Sequence, residues 1–280
     1  MILTNYHSHT KFSDGSNEPK DYIEKAIEKE MKAYGFSCHA PTTFPCTWTI
    51  APENLNNYIE EIDRLKKKYK DKIEIYKSLE IDYFPGNPLA QPENHKALHL
   101  DYIIGSVHFV DNLKNGEAWN IDTSKRIFDD GMVEIFGGDG KKAVTKFYEL
   151  TLEMLDVMKP NIIGHLDKIK MFNTGNKFFN ENEQWYKDLV ENVLQKIKKT
   201  GTIVEVNTRG VYRGKTDDYY PSNQILKRCY ELTIPVQINS DCHKPDEVAN
   251  GFKEASQLLK EIGFKTMRVL LNNKWQDCLL

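Results

Sequence analysis

Cysteine is scarce in this chain and its spacing pairs nothing. Cys38, Cys46, Cys229, Cys242 and Cys278 form no C-x-x-C motif and are odd in number. That argues against a disulfide framework and a thiolate zinc knuckle, and fits reduced thiols of a cytoplasmic protein. Long apolar runs are missing as well. None approaches the roughly 20 residues needed to span a bilayer. The first residues pass from Met1 through Ile2 and Leu3 to His7 with no basic region before a long apolar stretch. Neither a membrane anchor nor a secretory leader is therefore expected. No Gly, Ser or Pro linker divides the 280 residues, and there is no repeat or low-complexity tract, so a single domain over residues 1–280 is expected. Charge of one sign is also lacking. Lys and Arg number 38 against 41 Asp and Glu. The signs are mixed, and no basic stripe offers itself to nucleic acid. Nothing in these features sets an oligomeric state.

What the chain does have is alternation. Short apolar runs (Ile2 to Tyr6, Tyr34 to Cys38, Ile73 to Leu79, Tyr102 to Val107, Asn161 to Gly164, Ile203 to Val206, Pro235 to Asn239) are interleaved with helical patterns. Leu55, Tyr58, Ile59, Ile62 and Leu65 recur at helical spacing, as do residues near 19–27, 144–158, 182–199, 222–232 and 248–262. A terminal strand is expected over 266–271. Strand–helix alternation predicts a parallel sheet with helical crossovers. A closed α/β barrel fits better than an open doubly wound sheet, because polar residues follow six of the strands. An open sheet gathers ligands only at its switch point.

Those polar residues are the informative part. Six of the eight histidines stand where a predicted strand has just ended: His7 and His9, His39, His108, His165 and His243. Glu80 and Asp241 share that context, and Asp14 follows the first pair closely. On extended chain, residues two apart point to the same side, so His7 and His9 face one ion, as do Asp241 and His243. Six imidazoles and three carboxylates packed together without cations would be desolvated and mutually repulsive. Divalent cations reverse that balance. An all-nitrogen-and-oxygen set suits zinc, manganese or iron. A metal-dependent hydrolase follows; a solvated polar rim on a silent barrel is the competing reading. Cys38 and Cys242 each neighbour a ligand, so alternation turns them away into the core. His95 and His99 are four apart among Glu93, Asn94 and Lys96, which reads as a solvated helix face.

The pieces Tyr6-His7-Ser8-His9-Thr10 with Asp14-Gly15, His39-Ala40-Pro41, Glu80, Gly105-Ser106-Val107-His108, Gly164-His165-Leu166-Asp167 and Ser240-Asp241-Cys242-His243 carry a resemblance. The chain resembles the polymerase and histidinol phosphatase (PHP) superfamily, and within it the monofunctional histidinol-phosphate phosphatases. The resemblance implies a distorted seven-stranded, TIM-like β/α barrel with the active site at the C-terminal ends of its strands. It also implies three divalent ions. His7, His9, Glu80 and Asp241 would hold the first; Glu80 would bridge to a second completed by His108 and His165; Asp14, His39 and His243 would hold the third. Many superfamily members carry histidine where this chain has Asp14.

The implied reaction is hydrolysis of L-histidinol phosphate by in-line attack of a metal-bridging hydroxide. Three divalent cations facing three carboxylates and one hydroxide leave a positive surplus that matches a phosphate monoester dianion. Glu80 and Asp241 are then catalytic through the ions, and His243 or a metal-bound water protonates the leaving group. Arg209, in the loop after the sixth strand, is the candidate bidentate phosphate clamp; Arg213 and Lys215 are weaker candidates. Phe44, Trp48, Phe109, Trp119 and Tyr212 would overhang the site as an aromatic wall, with residues 41–49 read as a lid or an ordinary loop. Asp167 would accept from the substrate ammonium or support His165. The alternatives are another phosphomonoester, such as a nucleotide or phosphotyrosine, an exonuclease, and a scaffold without catalysis.

Overall fold

Strand β9 shows why the sheet forms where it does. Ile203–Asn207 is buried at every position, as expected for a parallel strand covered on both faces. It is entered from helix α6 (Gln184–Thr200), which Gly201 ends in the left-handed conformation at φ 74°. The computed structural model describes residues 3–280; Ile2, at the start of the first expected strand, lies outside them. The other parallel strands are β1 (Thr4–Asn5), β2 (Ala33–Phe36), β3 (Glu74–Lys77), β4 (Glu80–Asp82), β5 (Ile104–Ser106), β8 (Ile162–Ile163) and β10 (Val236–Asn239). Two antiparallel hairpins complete the set: β6 (Phe109–Asn112) with β7 (Ala118–Asn120), and β11 (Thr266–Leu271) with β12 (Lys274–Leu279).

The expected α/β class with parallel strands is what is observed. The ladder runs as two sheets, β1-β2-β3 and β10-β9-β8-β5-β4. Isolated parallel bridges, Ser8 to Cys242 and His39 to Glu80, link the two beyond the C-terminal ends of β1 and β2. The third expected strand, Ile73 to Leu79, is observed as β3 and pairs with β2; after Ser78-Leu79 a further strand not expected there, β4, pairs with β5.

Helices α1 (Pro19–Glu28), α2 (Leu55–Tyr69), α3 (Pro92–Lys96), α4 (Lys125–Glu134), α5 (Gly140–Val157), α7 (Arg209–Tyr212), α8 (Asn223–Glu231) and α9 (Phe252–Ile262) supply the crossovers and caps. In α2 the buried set is Tyr58, Ile62, Leu65 and Tyr69, a single stripe at spacings of four, three and four. Among the described residues no helix is long and apolar enough to cross a membrane.

Hairpin β11–β12 lies across the N-terminal ends of the parallel strands. Asn272 donates to Glu74, the first residue of β3. Arg268 and Trp275 border a hollow with Pro160, Asn161 and Thr202, just ahead of β8 and β9. Tyr6 donates to the carbonyl of Leu270 at 2.7 Å, and its ring meets those of Tyr102 and Trp275. Residues 266–271, expected as a lone closing strand, pair instead with β12, and the β6–β7 hairpin and α4 are further elements beyond those expected.

Candidate metal centre

All nine residues singled out by their strand-end context meet at the opposite end of the sheets. His7, His9 and Glu80 are fully buried, and His39, His108, His165 and Asp241 nearly so. His7 and His9 do point the same way, with ring centroids 5.1 Å apart. Glu80, at the first position of β4, is the hub. One of its oxygens, Oε2, lies 3.2 Å from His7 Nε2, 3.5 Å from His9 Nε2 and 2.9 Å from His39 Nδ1. The other, Oε1, is 3.0 Å from His165 Nε2 and accepts from Ser106 Oγ at 2.5 Å. His165 Nε2 and His108 Nε2 face each other at 3.1 Å. Asp241 Oδ1 is 3.2 Å from His9 Nε2, and Asp14 Oδ2 is 3.0 Å from His243 Nε2.

Two of these residues sit on strained backbone. Asp241 has φ 48° and His165 has φ 21°, a region costly for side chains other than glycine. Each is held from outside: Arg209 Nη1 donates to the carbonyl of Asp241 at 2.9 Å, and His165 N donates to Glu205 at 2.9 Å. Gly164 must be glycine, because a Cβ there would stand 2.5 Å from Ser106 Oγ.

The donor set fits cations on an observation independent of residue type. His7 Nε2, both ring nitrogens of His9, His39 Nδ1 and Glu80 Oε2 are buried without a hydrogen-bond partner. These lone-pair atoms approach their neighbours to 2.9–3.5 Å without hydrogen-bond geometry. Uncompensated, that arrangement is expensive. Ligand atoms group in three places: His7, His9 and Asp241; His39, Glu80 and His108; and His9, Asp14, His39 and His243. His9 and His39 each fall in two groups, and His165 borders the second through Glu80 and His108.

Electrostatics in the metal-free protein show what a cation replaces. Burial pushes His7 toward neutrality, but Glu205, Glu80 and Asp241 overcome it and hold its pKa well above the ordinary value. Against the same burial, Asp82 and Asp122 bring His108 up to about 10. Burial would raise Glu80, yet His7 and His39 hold it well below the usual carboxylate range. Burial, with His39 and His243 beside it, drives His9 the other way, well below its ordinary value.

Behind the ligands stand two carboxylates that sequence reading did not find. Glu205, fully buried in β9, accepts from His7 Nδ1 at 2.6 Å and from Asn239 and Asn207 at 3.1 and 3.0 Å. Asp82 Oδ1 accepts from His108 Nδ1 at 2.6 Å. Each fixes the tautomer that turns Nε2 toward the centre. The signal for Glu205 was present: an acid inside the apolar run Ile203-Val204-Glu205-Val206 cannot stay in a core unpaired. Replacing Glu205 with Gln is expected to weaken metal affinity about 10- to 100-fold. A chelator-competition titration checks it, and wild-type affinity would exclude the orienting role.

The centre opens into a cavity of about 230 Å³. Trp48, Asn120, Asp122, Lys168, Arg209 and Lys215 form its other wall. Trp48 stands edge-on to His39 at 4.5 Å and stacks on Phe109 at 5.5 Å. Several expected contacts lie elsewhere. Phe44 packs on Phe84 and Phe109 instead of lining the cavity. Trp119 is core, its Nε1 donating to Ile127. Arg213 is drawn off to Glu247 at 3.2 Å. Asp167 is fully buried and turned away, its Oδ2 accepting from Lys170 at 2.7 Å and Ser222 N at 2.9 Å. His95 is buried, not solvated, with Nδ1 3.1 Å from the carbonyl of Leu89. Cys38 and Cys242 are buried core thiols, as alternation predicted.

The chain is similar to known proteins over most of its length. The PHP domain family model matches residues 5–209. The histidinol-phosphatase of Bacillus subtilis is 26% identical over 269 residues, covering 88% of this chain and 96% of that protein. A probable histidinol-phosphatase of Schizosaccharomyces pombe is 25% identical over 268 residues, covering 89% and 82%. Among solved structures, the histidinol phosphate phosphatase of Lactococcus lactis, complexed with zinc, L-histidinol and phosphate, superposes with a TM-score of 0.73 at 20% identity, covering 98% of this chain and 99% of that one.

Proposed function

The chain belongs to the PHP domain family, and from that premise we propose that it is a metal-dependent phosphatase hydrolysing L-histidinol phosphate to L-histidinol and inorganic phosphate. The carrying observation is the buried, partnerless ligand atoms of His7, His9, His39 and Glu80 at the floor of a cavity whose other wall bears Arg209, Lys168 and Lys215. We assign three divalent cations, zinc, manganese or iron, to the sets His7, His9, Glu80, Asp241; Glu80, His108, His165; and Asp14, His39, His243. The three geometric groupings support that number, with His9 and His39 lying between sets. We read the two isolated bridges as seams of one distorted seven-stranded barrel in which β3 and β4 form a single interrupted strand. The whole chain is then one domain, and its work is cytoplasmic.

When bound, the cations supply a Lewis acid for the phosphoryl oxygens and a nucleophile at neutral pH. The chain supplies the rest. Arg209 is anchored through Nη1 to the Asp241 carbonyl at 2.9 Å and to the Tyr212 hydroxyl at 3.4 Å, which leaves the remaining edge of its planar fork for phosphate. Lys168 adds a buried positive charge: although burial opposes it, Asp122 raises its pKa, so it stays protonated. Trp48 packs edge-on against His39 and His108 and is backed by Phe109.

The testing measurement is phosphate release from L-histidinol phosphate beside p-nitrophenyl phosphate and a nucleoside monophosphate. The expected kcat/KM for L-histidinol phosphate exceeds both others by at least about 100-fold, some 2.7 kcal/mol of differential transition-state binding. Equal values for all three would replace the narrow reading with a general phosphomonoesterase.

A further inference from the structure

Four carboxylates line the cavity, and three of them, Asp14, Glu80 and Asp241, belong to candidate metal groups. The fourth, Asp122, belongs to none. It lies in the turn between β7 and α4, and that turn is rigidly held. Asn120 Oδ1 accepts from both Asp122 N and Thr123 N at 2.9 Å, and Ile121 N donates to the carbonyl of His108 at 3.0 Å. The Asp122 carboxylate is thereby fixed beside the centre, with Oδ2 3.9 Å from His108 Nε2 and 3.3 Å from Lys168 Nζ. Among the described residues these are its only charged partners, and both reach Oδ2.

The substrate of the proposed reaction carries two opposite charges close together: the phosphate, and an ammonium on the carbon next to the ester CH₂. Arg209, Lys168 and Lys215 suit the first and repel the second. A site that admitted only the phosphate would leave the ammonium facing cations. We propose that Asp122 receives the substrate ammonium on its free oxygen and thereby selects amino-bearing phosphate monoesters, a role that rests on the phosphatase reading above. Lys168 shares the same carboxylate, so the anionic and cationic ends of the substrate are sorted across one ion pair. Asp167, expected either to accept from the ammonium or to support His165, is spent on Lys170 and Ser222.

The test compares L-histidinol phosphate with its des-amino analogue, 3-(imidazol-4-yl)propyl phosphate, and reads the ratio of their kcat/KM values. Wild-type protein is expected to prefer the amino substrate by about 10- to 100-fold, the size of a charge-assisted hydrogen bond. In Asp122→Asn the ratio is expected to collapse toward one, and in Asp122→Glu to recover in part. Any effect of freeing Lys168, or of general damage to the fold, acts on both substrates and cancels in the ratio. A wild-type ratio near one overturns the inference without recourse to a variant, and so does an unmoved ratio in Asp122→Asn. If wild-type protein releases phosphate from p-nitrophenyl phosphate but none from L-histidinol phosphate, the substrate reading itself has failed. That outcome is distinct from either of the others.

Discussion

Glu80→Ala loses phosphate release by at least about 1000-fold and retains substoichiometric metal. The expectation follows from what the carboxylate touches. Its two oxygens lie within 3.5 Å of His7, His9, His39 and His165, so no single neighbour can replace it. Loss of a partner behind a ligand costs about 10- to 100-fold, and loss of a ligand shared between two cations costs more. The side chain is fully buried, yet its removal also relieves the desolvated charge, so the variant is expected to fold. Metal per chain and kcat are read together, with Glu80→Gln as the isosteric comparison. Wild-type turnover with full metal content would show that Glu80 bridges nothing.

Chelation abolishes activity, and the stability it removes depends on pH in a set direction. Saturating cation at about 100 times its Kd contributes about 2.7 kcal/mol, so stripping it lowers Tm by roughly 4–5 °C for a chain of this size. In the stripped protein, protons take the place of cations. His108, His7 and His39 all have folded pKa values above the unfolded one, because the carboxylate charges around them outweigh burial. Their contribution is complete below the unfolded value of about 6.5 and is lost as pH rises through the folded value, about 10 for His108. Metal binding shows the reverse trend, since each cation must displace those protons and binds more tightly as pH rises. The Tm gap between loaded and stripped protein therefore widens from pH 7 to pH 10. Parallel thermal scans across that window check it, and a gap that narrowed would exclude protonated histidines in the empty centre.

The histidines and Asp241 were legible because they follow strands, and parallel strands deliver their ends to one side whatever the sequence between them; Glu80 opens β4 instead. His7, His108 and Asp241 needed no tertiary information beyond that rule. The carboxylates behind them were harder. Glu205 sits within a strand, where periodicity marks burial but not partnership. Nearness to His165 in sequence does not aim Asp167 at the centre, because the backbone leaves the extended conformation at His165 and Asp167 stands just before a 3-10 turn. Asp122 follows the β6–β7 hairpin, in the turn that leads into α4, and strands of four and three residues are too short to show alternation. The turn signal of the hairpin itself, Asn115-Gly116, is present. His95 looked solvated from its neighbours, but a five-residue helix is placed by its packing and not by its own amphipathicity.

The hairpin that crosses the N-terminal ends of the strands gives the reaction chamber a blind end. Tyr6, Tyr102 and Trp275 stopper it with packed rings, so a molecule that reaches the ligand atoms comes and goes by the opposite mouth.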